Sequence, residues 1–426
     1  MNKAFQTVDW ALASNIYEVN IRQYTPDGTF SAFQKELPRL QQLGIRTIWF
    51  MPITPISVLN RKGTLGSYYA CSDYTSVNPE FGTLDDFKNL VRKAQQLGMK
   101  VMIDWVANHT GWDHVWTKTH PEFFSMDDKG SFRPPFPDWE DVIHLNYENR
   151  SLWTAMIDAM KFWIEECDLD GYRCDMAHLV PLAFWIEART ELDKMKPLFW
   201  LGEMEDPRYH EVFDASYSWE LLHTMERYWR KEANMSNIDN VFFKYSSLYP
   251  RGAIKLLFTS NHDENSHSGS EYERMGDAAQ AFAVLCITWE GLPLIYSGQE
   301  LPLVNKRLLF FERDPIPWTA EHKLDDFYKI LLNLRSTNPA LRAADDNVRT
   351  YRLETTDNAD VFAFLRKNGQ REVLVILNLS GVKRQFKIIG KVVSGKFRNV
   401  FSGSTEEIMA DTQFVMEPWR YLVYEK

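Results

Sequence analysis

Along most of the chain, apolar positions follow two alternating rhythms. Short, nearly continuous apolar runs stand at Ile16–Asn20, Thr47–Met51, Lys100–Asp104, Gly171–Asp175, Phe199–Glu203, Val212–Ala215, Leu256–Thr259 and Pro293–Tyr296. They have the length and residue types of buried strands. Between most of them the apolar positions recur with the period of a helix that lays one face on a core. Thr83–Gly98 is the clearest case. Leu84, Phe87, Leu90, Val91, Ala94 and Leu97 form one stripe, Thr83 and Asp86 can cap its start, and Gly98 stops it. Strand and helix in alternation predict a parallel sheet. Eight such units predict an α/β chain folded as a (β/α)8 TIM barrel rather than an open doubly wound sheet. The phosphate loops of nucleotide-binding open sheets, GxGxxG and GxxxxGK followed by Ser or Thr, do not occur.

Two stretches break the pattern. Between Asp104 and Gly171 lie far more residues than between the second and third strands. Residues 110–147 of that gap are rich in Trp, Phe, Pro, Asp and His and have no period. They read as a short insertion after strand three, at the mouth of the barrel, where long loops usually serve function. After Pro339 strand-like runs follow one another without helices, at Val361–Arg366, Val373–Leu377, Gln385–Ile389 and Tyr421–Tyr424. Asn368-Gly369 between the first two is a hairpin signal. The expected division is a barrel over 1–109 and 148–341, an insertion over 110–147, and a C-terminal antiparallel β-sandwich domain over 342–426.

Composition narrows the partners. The 426 residues carry a formal charge of −10, which repels phosphate backbones, so no nucleic acid is expected. No apolar run approaches the length of a membrane span, so no membrane contact is expected either. The opening MNKAFQTVDW has no apolar signal core, which points to the cytoplasm. Cys71, Cys167, Cys174 and Cys286 form no CxxC pair and read as free thiols. Aromatics reach 14%, with 15 Trp. Trp112, Trp116 and Trp139, near the mouth, suit sugar rings, which stack on aromatic faces. Trp153, Trp163 and Trp185, at helical positions, read as core.

In a barrel, chemistry sits at the C-terminal ends of the strands. The third strand ends in Asp104, followed by Asn108 and His109. The fourth reads Gly171-Tyr172-Arg173-Cys174-Asp175, and alternation puts Arg173 and Asp175 on one face. The fifth ends in Glu203, and the seventh runs into Asn261-His262-Asp263. Three carboxylates, Asp175, Glu203 and Asp263, thus converge with one arginine and two histidines. A carboxylate beside Arg is held ionised, as a nucleophile requires, and a carboxyl among carboxylates keeps its proton, as a general acid requires. That pair is the requirement for glycoside hydrolysis.

With these residues the chain resembles the α-amylase family of glycoside hydrolases (family 13). Asp104-Trp105-Val106-Ala107-Asn108-His109, Gly171-Tyr172-Arg173-Cys174-Asp175, Gly202-Glu203 and Asn261-His262-Asp263 match its D-x-x-x-N-H, G-x-R-x-D, acid and N-H-D regions. The resemblance implies a retaining hydrolase of α-1,4-glucosidic bonds in maltooligosaccharides or starch. Asp175 would be the nucleophile, Glu203 the acid/base, and Asp263 the third catalytic carboxylate, gripping sugar hydroxyls. Substrate binding would fall to Tyr69 beneath the sugar, to His109, His262 and Arg173, and to His178 on the leaving-group side, where many members carry Lys-His. Asp104 would be a buried partner of Arg173. No cofactor is implied. Calcium sits beside the residue matching Asn108 in members with long insertions. Here Asp138, Glu140 and Asp141 are the candidate oxygen donors, and an essential calcium is not expected. Two alternatives remain open: a transglycosylase or glucosyl isomerase of the same family, and an inactive carbohydrate-binding relative.

Overall fold

The computed structural model describes residues 5–301, 303, 304, 306–318 and 324–426. Eight parallel strands close a barrel: β1 Ile16–Val19, β2 Thr47–Phe50, β3 Lys100–Trp105, β4 Gly171–Cys174, β5 Phe199–Gly202, β6 Ala215–Tyr217, β7 Ile254–Leu257 and β8 Leu292–Tyr296. Each strand pairs with its neighbour in sequence, and β8 pairs with β1. The strands are buried on both faces because helices cover the outside. The helix expected after β2 runs over Leu84–Gln96 and opens with a capping box: Thr83 Oγ1 accepts from Asp86 N, and Asp86 Oδ2 accepts from Thr83 N.

Two strands lie elsewhere than expected. The sixth covers Ala215–Tyr217 rather than Val212–Ala215, because a Pro207-led 3₁₀ turn over Pro207–Glu211 occupies the chain before it and leaves Val212 in a helical conformation. The seventh covers Ile254–Leu257 rather than Leu256–Thr259. Lys255 interrupts the apolar run, yet it is buried, 3.0 Å from Ser216 Oγ and against the rings of Tyr245 and Tyr249.

Between β3 and β4 the insertion is not structureless. His109–Gly111 pairs antiparallel with Val142–His144, and a short helix, Trp116–Thr119, and a 3₁₀ turn, Pro121–Phe123, lie between them. After the helix Asp325–Thr337 and the turn Pro339–Leu341 come eight further strands: β9 Val348–Leu353, β10 Val361–Asn368, β11 Arg371–Asn378, β12 Arg384–Lys387, β13 Gly395–Asn399, β14 Thr405–Ile408, β15 Gln413–Met416 and β16 Tyr421–Glu425. They form a six-stranded sheet in the order β9-β10-β11-β16-β13-β14 and a two-stranded sheet, β12-β15. One face of the large sheet, with Phe362, Phe364, Val373, Val375 and Leu377, joins the barrel's core. The other, with Val361, Ala363, Leu365, Leu374 and Ile376, closes over Phe386 and Phe414.

At the N-terminal end of the barrel Arg335 is fully buried. Its guanidinium donates to the backbone carbonyls of Ser14, Ile287 and Gly291. It makes no ion pair with any described carboxylate.

Candidate active site

The polar side chains gather where the strands end. Asp104 lies on β3, and Asn108 and His109 on the chain leaving it. Arg173 points inward from β4, followed by Asp175. Glu203 follows β5, and His262 and Asp263 follow β7. Gly171 opens β4 because a Cβ there would stand 2.3 Å from the carbonyl oxygen of Phe199 on β5. Only glycine allows so close a strand approach.

Arg173 is the hub, with a fully buried side chain. Its Nη1 donates to Asp104 Oδ1 at 2.9 Å and to Asp175 Oδ1 at 2.8 Å. Its Nη2 stands 2.9 Å from Glu203 Oε2, an ion-pair distance off the line of a hydrogen bond. Its Nε donates to the Tyr217 hydroxyl on β6 at 3.1 Å. One cation therefore serves three buried carboxyls, and full ionisation of all three is disfavoured. Burial pushes Asp175 up to about 6 and Glu203 up to about 7. Arg173 pulls both down, while Asp104 acts against Asp175, and Asp175 and Asp263 act against Glu203. Glu203 also accepts from the Met176 amide at 2.9 Å, and Met176 holds the left-handed region at φ 41°. Such strain in a residue other than glycine persists where surrounding structure enforces it. With one cation among three raised carboxyls, the cluster favours a retained proton, which is what places a carboxylic acid beside a carboxylate.

The two histidines of the cluster differ in charge. Burial drives His109 down to about 3, helped by His144, so its imidazole is neutral. Burial also pulls His262 down, but Asp263 and then Glu18 outweigh it and hold it up at about 9, so its ring is protonated. His262 Nδ1 donates to Glu18 Oε1 at 2.5 Å, and Nε2 lies 2.7 Å from the Tyr69 hydroxyl oxygen. Tyr69 in turn donates to Asp104 Oδ2 at 3.1 Å. Its ring stacks on His262 with centroids 5.4 Å apart.

Tyr69, His109, Asp175, Glu203, His262 and Asp263 line one cavity of about 240 Å³. Arg173 lies beneath it. His178 does not reach this cavity. It lines a neighbouring basin of about 770 Å³ with Met204, Tyr209 and Trp219, and the two spaces share Met176 and Glu203. Trp139 walls the cavity, but Trp112 and Trp116 do not line it. The Trp112 indole donates to Glu140 O, and Trp116 packs on Tyr74, His114 and Phe123.

Three of the candidate calcium donors have protein partners. The Asn108 amide is engaged with His109 Nδ1 at 3.1 Å. The Asp138 carbonyl and the Asp141 carboxylate already face the Lys62 ammonium, each at 3.1 Å. Among the described residues no group of three or more His, Cys, Asp or Glu side chains could hold a metal ion. No described helix is long and apolar enough to cross a membrane. The four cysteines are buried and unpaired.

The sequence reading missed Glu18, Tyr217 and the cavity-lining Lys62, Phe310 and Phe311, and it took Asp141 for a calcium donor rather than a wall of the cavity. Glu18 had a signal: a carboxylate inside the four-residue apolar strand Ile16–Val19 must face a polar interior. The others lie on segments or faces without a period.

The family described as "Alpha amylase, catalytic domain" matches residues 12–134 and 136–351, and "Alpha amylase, C-terminal all-beta domain" matches 354–421. Alpha-amylase 2 of Dictyoglomus thermophilum is 25% identical over 94% of this chain and 74% of its own length. An alpha-1,4-glucan:maltose-1-phosphate maltosyltransferase of Rhodospirillum rubrum is 27% identical over 83% of this chain, which spans 54% of that relative. The solved structure of a noncanonic maltogenic alpha-amylase from Thermotoga neapolitana superposes with a TM-score of 0.90 at 30% identity, over 98% of this chain and 99% of that one. With a family match across nearly its whole length, the chain belongs to the alpha-amylase family of glycoside hydrolases.

Proposed function

We propose that this protein hydrolyses α-1,4-glucosidic bonds of maltooligosaccharides in two steps, with retention at the anomeric carbon. The observation that carries the reading is the shared cavity of Asp175, Glu203 and Asp263 above Arg173. In the first step the Asp175 carboxylate attacks the anomeric carbon while Glu203 gives its proton to the glycosidic oxygen, which leaves with the shortened glucan. In the second, Glu203, now ionised, takes a proton from water, the water oxygen bonds to the anomeric carbon, and Asp175 departs. Arg173 keeps Asp175 ionised. Asp263 offers an acceptor and the neutral His109 a donor to sugar hydroxyls, the charged His262 holds Tyr69 and Asp263 in place, and Tyr69 supplies a face beneath the ring. His178 contacts the leaving-group side. No step needs a metal ion. We divide the work among a barrel of residues 1–109 and 148–341, an insertion of 110–147 that walls the site, and a C-terminal unit of 342–426. Four buried, unpaired thiols suit a reducing compartment such as the cytoplasm.

A second reading, glucan transfer, is favoured by the basin beyond Glu203. Met204, Tyr209 and Trp219 offer a mostly non-hydroxylic seat where an acceptor sugar could displace water. Proton NMR of maltoheptaose digests tests both. The first product is expected as the α anomer, and a β product overturns the two-step reading. Products no longer than the substrate mean hydrolysis, and longer ones mean transfer.

A further inference from the structure

Glu18 stands on β1 between Tyr17 and Val19, has no exposed surface, and lines neither the cavity nor the basin. A carboxylate so placed needs a partner for its charge. Among the described residues its one ion pair is with His262. Its Oε1 lies 2.5 Å from His262 Nδ1, and its Oε2 has no hydrogen-bond partner. On the far side of the ring, His262 Nε2 meets the Tyr69 hydroxyl at 2.7 Å and Asp263 Oδ2 at 3.3 Å. Trp49 on β2 and Phe310 lie against the ring, and Arg173 on β4 opposes its charge.

Tyr69 has one hydroxyl proton and two neighbours that can take it. Asp104 Oδ2 lies 3.1 Å from its oxygen and His262 Nε2 lies 2.7 Å away. With protons on both nitrogens His262 can only donate, so Tyr69 must give its own proton to Asp104. With Nε2 bare, the histidine accepts, and at the shorter distance it captures the hydroxyl. Asp104 then loses a donor and draws harder on Arg173 Nη1. That one nitrogen is shared between Asp104 Oδ1 at 2.9 Å and Asp175 Oδ1 at 2.8 Å. The state of one ring therefore reaches the nucleophile through Tyr69, Asp104 and Arg173.

Burial pulls the second proton off His262, and Asp263 and Glu18 hold it there. The two carboxylates are not equivalent once substrate binds, which rests on the two-step reading above. Asp263, with 41% of its side chain exposed, turns its charge to sugar hydroxyls, while Glu18 has no contact with the cavity. We propose that Glu18 is a positioning residue of the active site: as the counter-ion that substrate does not engage, it keeps His262 a donor at both nitrogens, so that Tyr69 stays on Asp104 and Arg173 stays available to Asp175.

Histidine-selective nitrogen-15 NMR reads both ring nitrogens, with the His262 signals identified by their loss in His262→Asn. At pH about 8 both nitrogens are expected to carry protons in the native protein, and in Glu203→Gln with maltoheptaose bound. Glu18→Gln keeps the side chain's shape and an acceptor at Nδ1, and removes only the charge. In it Nε2 is expected to be bare at the same pH, with kcat on maltoheptaose lower by about tenfold and KM within about threefold. A merely structural Glu18 lowers the melting temperature and leaves the ring nitrogens and kcat unchanged. Two protons on His262 in Glu18→Gln, or native kcat in that folded variant, overturns the proposal. Loss of the Nε2 proton when maltoheptaose binds Glu203→Gln also overturns it, because Asp263 is then the holder, and this measurement needs no change at Glu18. Failure of the native protein to consume maltoheptaose overturns the hydrolase reading instead.

Discussion

Arg173 at the mouth of the barrel and Arg335 at its other end are equally buried, with no exposed surface. What differs is what they face. Arg173 meets Asp104, Asp175 and Glu203, and these charges outweigh burial and hold its proton more firmly than usual. Arg335 meets only carbonyl dipoles, and burial, with Arg366 nearby, pulls it down to about 9. Burial alone therefore does not mark a functional group. An excess of acid around one buried cation does, because that imbalance keeps one carboxyl protonated beside one that is not.

Four experiments break or sharpen the contrast. The largest effect is expected from Glu203→Gln, which keeps the side chain's shape beside Arg173 and removes only the transferable proton. Its kcat on maltoheptaose should fall by ~10²–10⁴ with the melting temperature nearly unchanged. Retention of a tenth of native activity would refute the acid assignment.

Arg173→Met attacks the same cluster through charge. It leaves three buried carboxyls without their cation, which is expected to cost about 3–5 kcal/mol of stability in urea titration, together with activity. A variant as stable as the native protein would show that the carboxyls do not need the cation.

Arg335→Met is the control at the other end. It strands carbonyl oxygens, at about 1–3 kcal/mol in the same titration, and should leave kcat within about twofold once folded. Loss of kcat in a fully folded variant would collapse the distinction between the two ends.

The smallest effect is a pH profile. On the acid side the pair takes up a second proton and no nucleophile remains, on the alkaline side it loses the proton that must be donated, and burial raises both limbs above the usual carboxylate range. A bell-shaped kcat/KM with limbs belonging to the pair is expected. A flat profile from pH 5 to 9 would contradict it.

Much of the mouth was legible because it follows local rules. Two-residue alternation placed Arg173 with Asp175, and the Thr83 cap and the Asn368-Gly369 turn behaved as their side chains dictate. What could not be read depends on partners distant in sequence. Glu18 meets His262 across 244 positions, and nothing near Glu18 announces a charged histidine. Lys62 and Phe311 lie on loops, where no period says which side chain faces the cavity. The two displaced strands failed for opposite reasons. A proline turn trimmed β6, and a lysine buried under two tyrosine rings disguised the start of β7. The tryptophans of the insertion misled because one apolar residue type serves both a sugar wall and a small core of its own.

The sheet face that merges with the barrel's core has a consequence for synthesis on the ribosome. Trp289, just before β8, packs between Phe242 and the β10 pair Phe362 and Phe364, with ring centroids 4.2, 5.5 and 4.7 Å away. A nascent chain that has emerged only through the turn Pro339–Leu341 has all eight barrel strands but still shows these rings to water. The barrel therefore reaches its full cooperativity only after β10, β11 and β16 are released, and folding is completed late in translation rather than strand by strand. Ribosome-bound chains halted at that turn should bind chaperones, and those carrying the last strand should not.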